Sequence, residues 1–259
     1  RAAAEAWRVA DELAAARASA SRRLEAAIDA ELAELGMPGA RFTVRAEDLP
    51  AGSARGPAAA LGRDGVGLGP DGSERIEFDL AANPGEGARP LARVASGGEL
   101  SRIMLALRHV AGGADVPTLV FDEVDAGIGG ASAEVVGRRL RSLARDAQVI
   151  CITHLAQIAA FADRHYAVAK RADGGRTRTE VRRVEGRDQV RELARMLAGT
   201  ESDAGLRHAE ELLREAQAAA DSDASAVRAR VPAADPGATS VTGTSRRKAL
   251  RAGAGGGKS

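Results

Sequence analysis

Residues Val94 to Gly130, VASGGELSRIMLALRHVAGGADVPTLVFDEVDAGIGG, decide how the chain reads. In the first part, Ser96 stands where a helix N-cap belongs and Glu99 follows three residues later, the spacing of a capping box. Leu100, Ile103, Met104, Leu107 and Val110 then recur at helical spacing, which predicts an amphipathic helix. A capped helix leaves Gly97 and Gly98 unexplained, because each glycine costs about 1 kcal/mol relative to alanine. Glycines at a helix start let backbone N–H groups approach an anion, which the helix dipole favours. On its own the segment fits a plain cap and a phosphate site equally well.

The second part shifts that balance. Pro117 to Phe121, PTLVF, is a short apolar run suited to a strand buried on both faces, and it stops at Asp122 and Glu123. Ligands of open α/β sheets gather at the carboxyl ends of strands. Asp122 is therefore placed to hold the Mg²⁺ of a nucleotide, and Glu123 to orient or deprotonate a water. A lone Asp-Glu pair is more often a solvated strand end. Following an S-G-G-E helix, it becomes a specific sign of phosphate chemistry.

The succession SGGELS, VFDEVD, ITH is similar to the C-terminal half of an ABC-type ATPase head. The longer strings NPGE (Asn83 to Glu86), VASGGELSRIMLAL (Val94 to Leu107), FDEVDAGIGG (Phe121 to Gly130) and THLAQIAAFAD (Thr153 to Asp163) resemble the RecN family, bacterial double-strand-break repair proteins related to the SMC proteins. The resemblance runs from about Leu24 to Leu213. It implies an α/β fold: the C-terminal lobe of an ABC/SMC-type ATPase head, a mostly parallel sheet flanked by helices, behind an N-terminal coiled-coil helix.

The same resemblance implies roles for single residues. Ser96, Gly97, Gly98 and Glu99 would form the signature loop, which meets the γ-phosphate of ATP held by an opposing head. Asp122 would be the Walker-B carboxylate acting on Mg²⁺, Glu123 the catalytic carboxylate, and His154 the switch histidine. The implied cofactors are ATP and Mg²⁺. The implied partners are the N-terminal lobe of the same protein, a second copy in an ATP-sandwiched homodimer, and single- or double-stranded DNA ends. The implied setting is the bacterial cytoplasm, at the nucleoid, and the implied work is ATP-driven head dimerisation that controls DNA holding or end tethering in repair and recombination.

Two features depart from a complete head. Many ABC heads carry Asp seven residues after the Walker-B Asp, and this chain has Gly129, as RecN-like sequences do. The P-loop, which in this family lies upstream of the coiled coil, has no counterpart. The terminal Gly257-Lys258-Ser259 only imitates one, since Ala252 stands where the motif needs Gly. This piece alone is accordingly expected to be inactive as an ATPase. Two other classes compete: a transporter ATPase subunit, whose P-loop would lie close upstream without a coiled coil, and a non-catalytic DNA-binding scaffold. The retained Glu123 favours catalysis over the scaffold.

Composition sets outer bounds. Formal net charge is +1, so the chain as a whole is no polycation, although a local basic patch remains open. Cys151 is the only cysteine, which excludes an internal disulfide and suits the cytosol. No apolar run reaches the roughly 18 residues of a membrane span, so no membrane partner is expected. Aromatic residues are only 2%, so the core must be built from Leu, Val, Ile and Ala.

Residues 1–36 read as the end of a coiled-coil arm. Val9, Leu13, Leu24, Ile28, Leu32 and Leu35 mark a helical stripe, Arg8 to Ser21 is rich in Ala and charge, and Gly36 and Pro38 end the helix. The plainer reading is a surface helix; the arm is preferred mainly because the resemblance implies one before this lobe. The chain opens on Arg1 in mid-helix, as a fragment would. Residues 37–217 form the lobe. Phe42 and Val44, then Ile76, Phe78 and Leu80, alternate as strands around a loop closed by Pro70-Asp71-Gly72. Val135, Val136, Leu140 and Leu143 predict a helix; Val149 to Ile152 is a second buried strand, with His154 just past its end. Tyr166–Lys170 and Thr177–Val184 read as a hairpin across Asp173-Gly174-Gly175, and two helices close the lobe. Residues 218–259 lack periodicity and are expected to be a disordered tail.

Overall fold

The computed structural model describes residues 1–52, 61–93, 96–112, 116–173 and 176–230. The chain divides into Arg1–Ser222 and Asp223–Ser259. Of the second unit, residues 223–230 are described, as helix.

Helix α1 spans Ala2–Glu34. Its C-terminal half is anchored by Ile28, Leu32 and Leu35, all fully buried. It ends in a Schellman motif: Gly36 at φ 82°, with the Met37 N–H donating to the Leu32 carbonyl at 2.9 Å. Its N-terminal half rests on the chain's own loop. Trp7 and Ala10 pack with Leu68, the Trp7 indole donates to the Leu61 carbonyl at 2.7 Å, and Arg63 lies 4.2 Å over the Trp7 ring. This is how the Ala-rich stretch is stabilised despite its few large apolar side chains.

Strands β1 (Arg41–Asp48), β2 (Glu74–Ala81) and β3 (Arg89–Pro90) form an antiparallel sheet in that order. The outer edge of β1 is covered by α1, whose Asp29 and Glu25 carboxylates accept from the Phe42 and Val44 N–H groups at 2.8 and 2.7 Å.

Helix α2 (Gly97–Ala111), strand β4 (Thr118–Phe121), helix α3 (Gly130–Leu143) and strand β5 (Gln148–Cys151) follow. With α3 as the crossover, β4 and β5 pair in parallel, Thr118 opposite Gln148 and Phe121 opposite Cys151. The other two sheets are antiparallel, as strands joined by local connections tend to be. Ile103, Leu105 and Ala106 of α2, Phe121 of β4, and Ala133, Val136 and Leu140 of α3 join Ile28 and Leu32 in one core.

The β4–β5 pair corrects one expectation. Leu119, Phe121, Val149 and Cys151 turn toward the core, but Val120, Ile150 and Ile152 are 63, 45 and 56% exposed. Alternate residues of a strand point to opposite faces. Here the core covers one face, and among the described residues nothing buries the other.

Short helix α4 (Ala156–Ala159), strands β6 (His165–Asp173) and β7 (Arg176–Val184), and helices α5 (Arg187–Ala198) and α6 (Asp203–Arg230) complete the fold. Phe161, Leu193, Ala194, Ala209 and Ala216 make a second core. Helix α6 runs to Arg230, past residue 218 where composition placed the start of a tail; residues 231–259 lie outside those described.

The two cores meet where Gly137 of α3 faces Phe161. A Cβ at Gly137 would sit 2.5 Å from the Phe161 ring. Gly137→Ala should therefore destabilise the fold by about 1–3 kcal/mol through overpacking, outweighing the helix-propensity gain of about 1 kcal/mol. Urea unfolding of the variant checks this; a raised midpoint would contradict it.

Candidate functional site

The site is built where the start of α2 meets the turn after β4. Ser96, in extended conformation, caps α2, its Oγ accepting from the Glu99 N–H at a long 3.4 Å. The two glycines have a second use that their cap position did not reveal. A Cβ on Gly97 would collide with a Glu123 carboxylate oxygen, and one on Gly98 would lie 2.6 Å from the Ala126 Cβ and 3.0 Å from the Glu123 carbonyl oxygen. At Gly97 the neighbour is the end of a flexible side chain that can swing aside, but at Gly98 a Cβ and a backbone carbonyl cannot, so there glycine is what lets the helix start press this closely on the acid turn.

Polar bonds hold the two pieces together. Ser101 donates through its Oγ to the Asp122 carbonyl at 2.6 Å. Arg102, 5% exposed, donates to the Ala126 carbonyl at 2.7 Å and the Val124 carbonyl at 3.3 Å. Burial pulls the Arg102 pKa below its ordinary value, and the charges of Glu99 and Asp125 oppose that pull.

Within the turn, Asp122 Oδ1 accepts from the Glu123 N–H at 2.9 Å, and the Glu123 carbonyl accepts from Ala126 N–H at 3.0 Å. Glu123 sits at φ 55°, the left-handed region that non-glycine residues seldom adopt. Such strain costs on the order of 1–3 kcal/mol and persists only where neighbours fix it. Both acids are exposed at the strand end.

Asp125 links this turn to β5. Its carboxylate is 5% exposed, and one oxygen, Oδ2, accepts from Thr153 Oγ1 at 2.5 Å and from the His154 N–H at 2.8 Å. The same oxygen lies 2.9 Å from His154 Nδ1, while the imidazole itself is 73% exposed. Burial pushes the Asp125 pKa upward, but the bonds from Thr153 and His154 outweigh it and hold the carboxyl below the ordinary range. The buried negative charge of Asp125 thus stands beside one edge of the imidazole, while most of the ring faces solvent.

The structure thus brings Asp122, Glu123 and His154 to one end of the β4–β5 pair, next to Gly97 and Gly98. Asp125, Thr153, Ser101 and Arg102 hold them there, and none of these was singled out in the sequence. The signal was available: Asp125 and Thr153 lie inside the FDEVD and ITH strings. Among the described residues no cluster of three or more His, Cys, Asp or Glu groups could hold a metal by itself. A Mg²⁺ at Asp122 would need phosphate and water oxygens to complete its shell, the usual arrangement for that ion.

Cys151, the last residue of β5, is chemically quiet. Burial, helped by the charges of Asp125 and Asp122, pushes its thiol up to about 12. The thiolate is the nucleophile, so its fraction at pH 8 is minute. Iodoacetamide should modify Cys151 at least tenfold more slowly than a free thiol at pH 8, with a rate still rising at pH 10; a rate that levels off near pH 9 would contradict this.

No protein-family model matches the chain. Among curated proteins, DNA repair protein RecN of Streptomyces coelicolor is 51% identical over 214 residues, covering 81% of this chain and 36% of that protein. DNA repair protein RecN of Deinococcus radiodurans is 46% identical over 210 residues, covering 81% of this chain and 34% of that protein. Solved structures are similar at lower identity: the Smc head domain with a coiled coil and joint from Pyrococcus yayanosii, at 18% identity and TM-score 0.40, covers 75% of this chain and 29% of that one. The SMC head domain from Thermotoga maritima, at 20% identity and TM-score 0.31, covers 71% and 52%. The chain spans about a third of the length of the curated relatives it matches most fully. With 45–55% identity to one set of curated relatives, four of them matched over about four-fifths of its own length, it belongs to the RecN family.

Proposed function

We propose that this chain is the C-terminal lobe of an ATPase head that acts in DNA double-strand-break repair and recombination, completed by an N-terminal lobe and closed on ATP by a second copy. The observation that carries the reading is the Asp125 clamp. It gathers an exposed imidazole onto the same strand end as two exposed acids, next to a glycine-bearing helix start. That arrangement suits the hydrolysis of a phosphoanhydride by water.

In this reading each residue has one task. Asp122 holds Mg²⁺, which, when bound with ATP, neutralises charge on the phosphate oxygens. Glu123 orients the attacking water and accepts its proton. His154 presents Nε2 to a phosphate oxygen, its Nδ1 edge facing Asp125 at 2.9 Å. Ser96, Gly97, Gly98 and the first N–H groups of α2 meet the γ-phosphate of the ATP held by the opposing head. Gly129 offers no carboxylate to the dimer contact, so that contact must run through other groups.

The exposed face of Val120, Ile150 and Ile152 supports an incomplete lobe. Apolar side chains on a sheet beside a site are normally covered, and an N-terminal lobe carrying the P-loop would do so.

The test is the mass of the full-length protein in solution. With Mg²⁺ and a non-hydrolysable ATP analogue, light scattering should give twice the protomer mass, and with ADP the protomer mass. The same mass in both states would overturn ATP-driven dimerisation.

A further inference from the structure

We propose that the β6–β7 hairpin is an arm that grips the phosphate backbone of DNA. The inference rests on the reading of the protein as one that acts on DNA, and adds where on this lobe the DNA lies.

Charge is the first observation. Residues 165–184 hold six basic residues against two acidic ones, while the entire chain is only +1. Residues 223–259 are also basic, with seven basic residues against two acidic, but residues 1–222 are net −4, and within them the hairpin is a local positive patch.

Geometry is the second. The register places Tyr166, Val168 and Lys170 opposite Arg183, Val181 and Thr179 on one face, and Arg171 opposite Arg178 on the other. Among the described side chains of the hairpin, the buried one is Val184, at the base. Farther out both faces are open: Lys170, Arg171, Arg178 and Thr179 are exposed, and the facing pair Val168 and Val181 is 62 and 63% exposed. A nine-residue strand is about 30 Å long, close to the roughly 34 Å of one duplex turn. A two-stranded ribbon also fits the width of the major groove.

The cations are free to turn outward. Lys170 and Arg178 have no ion-pair partner among the described residues. Arg171 makes only a loose 3.4 Å contact with Glu180 and is 77% exposed. Arg182 and Arg183 pair with Asp188 and Glu185 near the base, which leaves the outer half as the gripping part. Thr179 adds a hydroxyl of the kind that bonds phosphate. The apolar pair alone would suit a protein, but it is bordered on its own face by Lys170 and Arg183 and backed by Arg171 and Arg178. Charge complementarity therefore favours a polyanion.

The experiment uses the full-length protein with Lys170→Gln, Arg171→Gln and Arg178→Gln combined. Its affinity for a duplex of about 30 base pairs is measured over a series of salt concentrations, beside ATP turnover without DNA. Affinity at low salt should fall at least tenfold, and the slope of log K against log salt should become smaller by about 2 to 3, near 0.9 for each phosphate that is no longer neutralised. Turnover without DNA should not change. The double variant Arg171→Lys, Arg178→Lys keeps the charge and should keep the slope, which separates charge from folding. An unchanged affinity and slope in the triple variant would overturn the hairpin and leave a protein as its partner, with the functional reading intact. Wild-type protein that binds no DNA would overturn both.

Discussion

Glu123→Gln should lower ATP turnover of the full-length protein by a factor of about 10² to 10⁴, the range that a positioned general base contributes. Glutamine has the size of glutamate and retains a hydrogen-bonding end, so the strained backbone at φ 55° and the close approach of Gly97 persist. What disappears is the negative charge that accepts the water proton. The loss should fall on kcat, with KM for ATP changed less than about threefold, because binding does not depend on that proton. Phosphate release at steady state measures it. Equal turnover in both proteins would remove Glu123 from the mechanism.

Asp125→Asn should lower kcat by about 10- to 100-fold, the effect typical of groups that orient a functional imidazole. Asp125 Oδ2 accepts from Thr153 Oγ1 and from the His154 N–H, and lies 2.9 Å from His154 Nδ1. An asparagine amide placed there faces donors with a donor, and the alternative flip offers a weaker, uncharged acceptor. Either way the segment that carries the imidazole loses the charge that holds it at the strand end. Thr153→Ser retains the hydroxyl and should keep turnover within about threefold, so a loss confined to Asp125→Asn marks positioning and not general damage. Comparing thermal midpoints of the two variants separates folding from catalysis. Unchanged kcat in Asp125→Asn would show that the clamp serves the fold alone.

Local features were legible because they depend on neighbours in sequence. The Ser96 cap, the helix behind it, the apolar runs of β4 and β5, and the β6–β7 hairpin all follow from spacing and turn chemistry. The reason for the glycine pair was only half legible. The proposed phosphate contact is one reason for small residues there; the packing of Gly98 on Ala126 and the Glu123 carbonyl is another, and it appears only once the chain is folded. Asp125 was hidden for a similar cause: its partners lie 28 and 29 residues away, and a third acid in FDEVD reads as one more solvated charge.

Covered and uncovered faces also look alike in sequence. Val120 and Ile150 are as apolar as core residues, and a one-dimensional pattern does not tell whether the covering layer belongs to the same lobe. The extension of α6 to Arg230 has a plainer origin. The segment lacks an apolar period, yet residues 218–230 hold six Ala, the strongest helix former.

ATP turnover on mixing this chain with the separately produced P-loop half of the protein tests the split site most directly. Activity should appear only in the mixture and vanish when this chain carries Glu123→Gln. Turnover by the P-loop half alone, at a rate that this chain leaves unchanged, would contradict a site shared between the two lobes.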